Sequence, residues 1–305
     1  MNTPKVHETQ PLSFSDHNRD VLGLTYVYPV VSRRAAGVSI GINLNLNNAC
    51  NWACVYCQVP QLKRGVAPSQ LDQPRLRQEL MLALGQILEG TFMQEYVPEE
   101  LRRLNDIAFS GNGEPTGSAH FLEAVETVLS LLRARNLLGL VKVVVITNGS
   151  FALRPAVQNA FKALGEQVSA SASGAKTASA SVGEVWFKVD RARPEDIRRI
   201  NQVCIQPALV LKRLEATARA CPTWVQTCMV AWDQEPPSEP EVKAYLDFLE
   251  QTRQLEIPLQ GVLLYSLARP SHQPAVPHLS ALPISWLEGL AQRIQHLGLP
   301  VKVTP

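Results

Sequence analysis

Residues 39–47 read SIGINLNLN, and CNWACVYC follows at 50–57. In the first stretch Ile40, Ile42, Leu44 and Leu46 alternate without a break with Ser39, Gly41, Asn43 and Asn45. Successive strand side chains point to opposite faces, so this period predicts a first strand over 39–47 running into a polar turn. Working outward, further strands are predicted at 106–110, 141–147, 185–190, 224–230 and 260–266. Helical spacing lies between them at 71–89, 118–136, 153–164, 194–203 or slightly beyond, and 240–255, with a last helix at 284–298. Strands alternating with helices imply an α/β fold of parallel strands joined by crossover helices. An open or partial (β/α) barrel and a doubly wound sheet both satisfy that pattern. In either, chemistry belongs at the C-terminal ends of the strands.

Composition narrows the setting. The 305 residues include 29 Lys+Arg against 27 Asp+Glu, a net charge of +2, with 46% hydrophobic and 18% charged residues. Such a chain fills a large core and is not a disordered tail. It carries no general electrostatic pull toward nucleic acid or an anionic membrane. The polar start and the lack of a long apolar run predict no signal peptide, no membrane span and a cytoplasmic location. We divide the chain into an N-terminal extension, 1–35, and one domain, 36–305, that contains a flexible low-complexity insertion at 165–184. That insertion joins a helix to the following strand, which places it away from the functional face. The Pro-rich segments 232–241 and 268–283 follow strands and lie on that face.

Six cysteines divide into a cluster, Cys50, Cys54 and Cys57, and three scattered downstream, Cys204, Cys221 and Cys228. In a reducing compartment a tight cluster points to metal or catalysis rather than disulfides. Thiolates at Cys-x3-Cys-x2-Cys spacing can converge from one loop on a soft metal centre, as in iron–sulfur sites. Only three ligands are local, so an iron would be left open to a small molecule. Zinc remains an alternative if a distant residue such as His120 supplies a fourth ligand, giving a non-redox zinc enzyme or binding module. The scattered cysteines fit packing better than a second cluster.

The same motif, with Tyr56 just before the last cysteine, resembles the signature of the radical S-adenosylmethionine superfamily. The resemblance implies one 4Fe-4S cluster per chain on Cys50, Cys54 and Cys57, with S-adenosyl-L-methionine on the fourth iron. It implies reductive cleavage of that cofactor to a 5′-deoxyadenosyl radical that abstracts hydrogen from substrate. It also implies a partial (β/α)6 barrel, TIM-like, with outer helices. Residues 109–116, FSGNGEPT, resemble the superfamily's Gly-Gly-Glu motif, with Asn112 standing between Gly111 and Gly113. Glycines there permit close backbone approach, and Glu114 offers a carboxylate to the cofactor's ammonium group.

Tyr56, Gly111, Asn112, Gly113, Glu114, Asn148, Lys188 and Asp190 are therefore the candidate cofactor-binding residues; no catalytic residue is assigned. Lys188 and Asp190 share an inward face in VWFKVD, where they either meet the cofactor or pair with each other. Gln226, Tyr265 and Ser266 are candidates for facing substrate. His272 and His278 are expected to be solvated. The combination of CVYCQ, SGNGEPT, TNGS and VWFKVD resembles the group near the wyosine tRNA-modifying radical enzymes. That group includes members of undefined role, so the substrate stays open between RNA, a peptide or protein and a small metabolite, with an electron donor such as flavodoxin or ferredoxin expected.

Overall fold

The alternation at 39–47 forms a strand only as far as Ile42. Beyond it the asparagines that read as a polar strand face bond to backbone instead, and their Asx turns end the strand. Asn43 Oδ1 accepts from Asn45 N at 3.0 Å, Asn45 Nδ2 donates to the Ala49 carbonyl at 2.9 Å, and Asn47 Oδ1 accepts from Ala49 N at 3.2 Å. The chain is described by a computed structural model covering residues 12, 21–32, 37–170 and 178–304.

In chain order the first elements are β1 (Val27–Ser32), β2 (Gly37–Ile42), β3 (Ala49–Cys50), β4 (Lys63–Arg64), α1 (Gln73–Leu88) and α2 (Phe92–Tyr96). Next come β5 (Leu104–Phe109), α3 (Phe121–Ala134), β6 (Lys142–Thr147), α4 (Pro155–Gly165), β7 (Gln167–Ala170) and β8 (Ala178–Ser181). They are followed by β9 (Gly183–Lys188), α5 (Pro194–Asn201), α6 (Pro207–Ala220), β10 (Thr223–Cys228) and β11 (Val230–Trp232). The last are α7 (Glu239–Gln254), β12 (Leu259–Tyr265), β13 (Leu279–Ala281), α8 (Ile284–His296) and β14 (Val301–Thr304).

One eight-stranded sheet runs β1-β2-β5-β6-β9-β10-β12-β14. Strands β2 to β14 in that order are parallel, and β1 pairs antiparallel with β2. The sheet curls into a partial barrel of the expected kind, one parallel strand longer than the six predicted. The extra antiparallel strand lies within the segment read as an N-terminal extension. In the insertion, β7 and β8 form an antiparallel pair, and 171–177 lie outside the described residues.

The helix predicted at 194–203 is α5, and a second helix, α6, follows that was not predicted. Helix α5 stops at Asn201, Gln202 takes a left-handed conformation (φ 55°), and α6 begins afresh at Pro207. A proline at a first helical position and the spacing Val210, Leu211, Leu214 and Ala218 carry the signal for α6.

The main core lies between the sheet and the helices. Ile40, Ile42, Ile107 and Phe109 face outward from their strands onto Leu76, Leu80 and Leu84 of α1 and onto Phe121, Val125 and Val128 of α3. Each such side chain contributes about 1.5–3 kcal/mol on burial. The alternate positions Ser39, Gly41, Asp106, Ala108, Lys188 and Gln226 line the interior, which is left open as a cavity. Among the described residues, no helix is long and apolar enough to cross a membrane.

Candidate functional site

The three clustered cysteines leave the sheet directly after β2 and open onto one cavity of about 350 Å³ inside the barrel. Backbone hydrogen bonds fix their loop from three sides. Arg64 is the ladder partner of Cys50, and Gly65 N donates to the Cys50 carbonyl at 3.1 Å. Ala53 N and Val55 N donate to the carbonyls of Asn201 and Ile200 at the end of α5, at 3.3 and 2.8 Å. From the segment after β12, Ser271 Oγ reaches the carbonyls of Val55 and Cys57 at 2.7 and 3.0 Å, and His272 N reaches Cys57 O at 3.0 Å. The Pro-rich segment expected on this face therefore acts as a strap over the cysteine loop.

Burial pushes the Cys50 thiol up to about 12 and the Cys54 thiol up to about 11, the latter against the opposing pull of Lys188. Metal binding here must displace protons. Asn201 Nδ2 donates to Cys54 Sγ at 3.3 Å, and Asn148 Nδ2 lies 4.0 Å from Cys50 Sγ. Among the described residues no three His, Cys, Asp or Glu side chains converge as ligands of a single ion. A tetrahedral zinc site draws its sulfurs to within about 4 Å of one another, as a Zn–S bond of about 2.3 Å dictates. Three thiols of one loop that open on one cavity are the donor set a multi-iron cluster would use, each capping its own iron. His120 is not with them: its Nδ1 meets Glu123 at 2.7 Å and its Nε2 meets the Ser69 carbonyl at 3.1 Å.

The loop after β5 forms the next wall. Gly111 takes φ 124°, and a Cβ there would lie 2.6 Å from Asn43 Oδ1; one on Gly113 would lie 2.1 Å from the Ala49 carbonyl. These glycines let the loop pack against the turn that carries the cysteines. Asn112 is spent on that contact, donating from its backbone N to Asn43 at 3.1 Å and from Nδ2 to Asn48 Oδ1 at 2.7 Å. Glu114 is buried. Its Oε1 accepts from Thr116 N, Thr116 Oγ1 and Thr147 Oγ1 at 3.1, 2.5 and 2.6 Å, and its Oε2 from Asn148 N at 2.6 Å. Oε2, with one donor, retains acceptor capacity. Burial raises the Glu114 pKa despite these bonds, and among the described residues no cation forms a salt bridge with it.

Lys188 and Asp190, which alternation places on one face, do different work. Asp190 lies behind the cavity wall, where its carboxylate accepts from Tyr56 Oη, from Asn201 Nδ2 at 2.6 Å and from Cys228 N at 2.8 Å. Lys188 lines the cavity, with Nζ at 2.8 Å from Tyr56 Oη and 3.2 Å from Tyr265 Oη. Burial alone would lower its pKa, but Asp190 at 4.0 Å and Tyr265 hold the ammonium charged and raise it.

Asn148, Gln226, Cys228, Tyr265 and Ser266 all line the cavity, and Gln226 Nε2 has no hydrogen-bond partner. All six cysteines are free thiols. Cys221 packs in the core as expected, Cys228 in a smaller cluster with Val55 and Tyr56, whereas Cys204 is exposed. His278 is not merely solvated: it stacks on Trp232 at 5.3 Å and bonds Asp233 at 2.6 Å. Sequence reading missed Asn201, and it placed Thr147 at a cofactor-facing strand end without giving it a role. Asn201 lies 147 residues from Cys54 and gives no local signal, whereas Thr147 is signalled by its place beside Asn148.

No family model matches this sequence. Over 135 residues it is 28% identical to the UPF0026 protein of Helicobacter pylori (strain ATCC 700392 / 26695), a match covering 44% of this chain and 38% of that protein. The match thus spans well under half the length of that relative. In fold, the chain is similar to a radical SAM methyltransferase from Sphaerobacter thermophilus (TM-score 0.55, 12% identity, 93% of this chain and 70% of that one). It is also similar to Streptococcus suis SuiB bound to S-adenosylmethionine (0.55, 8%, 90% and 52%). A structure of TYW1 with a lysine-pyruvate adduct bound matches likewise (0.54, 14%, 85% and 73%). The partial barrel is thus the fold that these solved structures share with this chain.

Proposed function

We propose that this chain is a radical S-adenosylmethionine enzyme. The observation that carries the reading is the opening of Cys50, Cys54 and Cys57 onto one cavity at the C-terminal ends of the barrel strands, beside Glu114 and Lys188. When bound, a 4Fe-4S cluster with S-adenosylmethionine supplies an electron that splits the cofactor and yields a 5′-deoxyadenosyl radical. The chain's own residues hold and orient. The three thiolates bind three irons. Asn201 donates a hydrogen bond to the Cys54 sulfur, which tunes the cluster. Glu114 receives the cofactor's ammonium on its under-used Oε2, and Thr116, Thr147 and Asn148 lock that carboxylate in place. Lys188 offers a fixed cation to the cofactor's carboxylate, held by the two tyrosine hydroxyls and by Asp190 behind them.

The hydrogen donor is an RNA nucleoside or a peptide segment presented at the cavity mouth, and a flavodoxin or ferredoxin supplies the electron. The single experiment is anaerobic reconstitution with iron and sulfide, followed by titration with S-adenosylmethionine. About four irons and four sulfides per chain and saturable cofactor binding are expected. A colourless protein holding one zinc would replace this reading with the zinc one. Comparing tRNA nucleosides and peptides by mass spectrometry, from cells with and without the protein, then identifies the substrate.

A further inference from the structure

From Val21 to Leu71 the sequence contains four basic residues and no Asp or Glu. Two of the four, Lys63 and Arg64, form β4, the exposed ribbon strand whose partner is Cys50. Adjacent strands lie about 5 Å apart, so this basic pair sits one ladder spacing from the first cysteine of the cluster loop. Arg64 does not wander. It donates to the Asn51 carbonyl at 3.1 Å and to the Gln202 carbonyl just beyond α5. Arg198, four residues before Gln202, falls on the same side of α5 one turn away. The acids of α5 are occupied elsewhere, Glu195 and Asp196 by Arg193, and Asp196 also by Arg199. Among the described residues, no carboxylate pairs with Lys63, Arg64 or Arg198. Beside them Leu46 and Val66 are 39% and 48% exposed, joined through Asn47 Nδ2 to the Val66 carbonyl at 3.0 Å.

An apolar centre with an unpaired basic rim is the anatomy of a protein interface rather than of a small-molecule site. Among the described residues no exposed aromatic side chain accompanies it, which disfavours a single-stranded nucleic acid stacking its bases there. We propose that Leu46, Lys63, Arg64, Val66 and Arg198 form the docking surface for an acidic protein that carries a one-electron reductant. This inference rests on the radical reading of the site, because that site must take an electron from outside. The reduced partner loses one electron and the oxidised cluster gains it, with no bond made or broken.

The test uses the full chain and flavodoxin hydroquinone as the acidic probe. Its affinity is measured by calorimetry for the wild-type chain, the charge reversal Lys63→Glu/Arg198→Glu and the conservative Lys63→Arg/Arg198→Lys, with and without cluster. We expect the reversal to weaken binding about tenfold or more and to flatten its salt dependence, with the conservative pair near wild type. Cluster bleaching by dithionite, which needs no docking, is expected to be equal in all three proteins. Equal flavodoxin affinity in wild type and reversal would overturn the proposal. So would tRNA that displaces flavodoxin and itself loses affinity in the reversal, which would reassign the surface to RNA. A wild type that binds flavodoxin as expected but takes up no cluster would sink the radical reading and leave the surface standing.

Discussion

Two buried carboxylates, one on each side of the sheet, are built alike and behave oppositely. Glu79 on α1 accepts from the backbone N–H groups of Thr25, Tyr26 and Val27 at 2.7–3.3 Å, pinning the segment that enters β1. Glu114 in the barrel accepts two backbone N–H groups and two threonine hydroxyls. Burial pushes both pKa values up. At Glu79 the backbone donors and Arg75, at 2.9 Å, more than reverse that push and the pKa falls; at Glu114 the donors fall short and it stays raised. The difference is a cation. Glu79 has one, whereas Glu114 faces a cavity and, among the described residues, forms no salt bridge, which is why its proposed partner is a positively charged ligand.

The largest effect is expected where that ligand is anchored. Cys54→Ala removes a cluster ligand, and iron and sulfide per reconstituted chain should fall to background. Retention of a full cluster would break the ligand assignment. Next, Glu114→Gln keeps the shape but loses the charge proposed to meet the ammonium. Cofactor binding should weaken by about 1.5–3 kcal/mol, roughly ten- to a hundredfold in Kd, with iron content unchanged. Calorimetry reads the first and metal analysis the second.

Glu79→Gln sharpens the comparison from the other side. It should cost about 2 kcal/mol of stability in denaturant unfolding and leave cofactor affinity unchanged. Because the folded pKa of Glu79 is depressed, its stabilisation is present above the unfolded value and is lost as pH falls through the folded one. The wild-type and Glu79→Gln unfolding midpoints should therefore converge at acid pH. The raised Glu114 has the opposite sign, since the unfolded chain releases that proton first. The smallest effect belongs to Arg75→Ala. Arg75 is half exposed, so the stability loss should be about 0.5–1 kcal/mol, and Glu79 should then titrate at higher pH, followed by carboxylate NMR.

The sequence carries the six central strands because each is an apolar or alternating run bounded by polar turns. Strand β1 was not legible. Its Pro29 argues against a strand, and it is tolerated because β1 lies at the sheet's edge. The asparagines at 43, 45 and 47 continue the strand period while building turns, so periodicity alone overran the true end of β2. At the site, Cys50, Cys54, Cys57 and the glycines of the 111–113 loop announce themselves by spacing. The network joining Tyr56 to Asp190 spans 134 residues, and no local pattern reveals it. The same distance hides the division between Lys188, which faces the cavity, and Asp190, which supports it from behind.

On the proposed function, the cysteine loop and the Glu114 loop serve one reaction. Its most direct test is anaerobic incubation of the dithionite-reduced, reconstituted chain with S-adenosylmethionine, followed by mass-spectrometric quantification of 5′-deoxyadenosine. 5′-Deoxyadenosine is expected to form in the wild type and to be absent with Cys54→Ala. Cluster-loaded protein that binds the cofactor and yields none, or equal yield from the cysteine variant, would contradict that function.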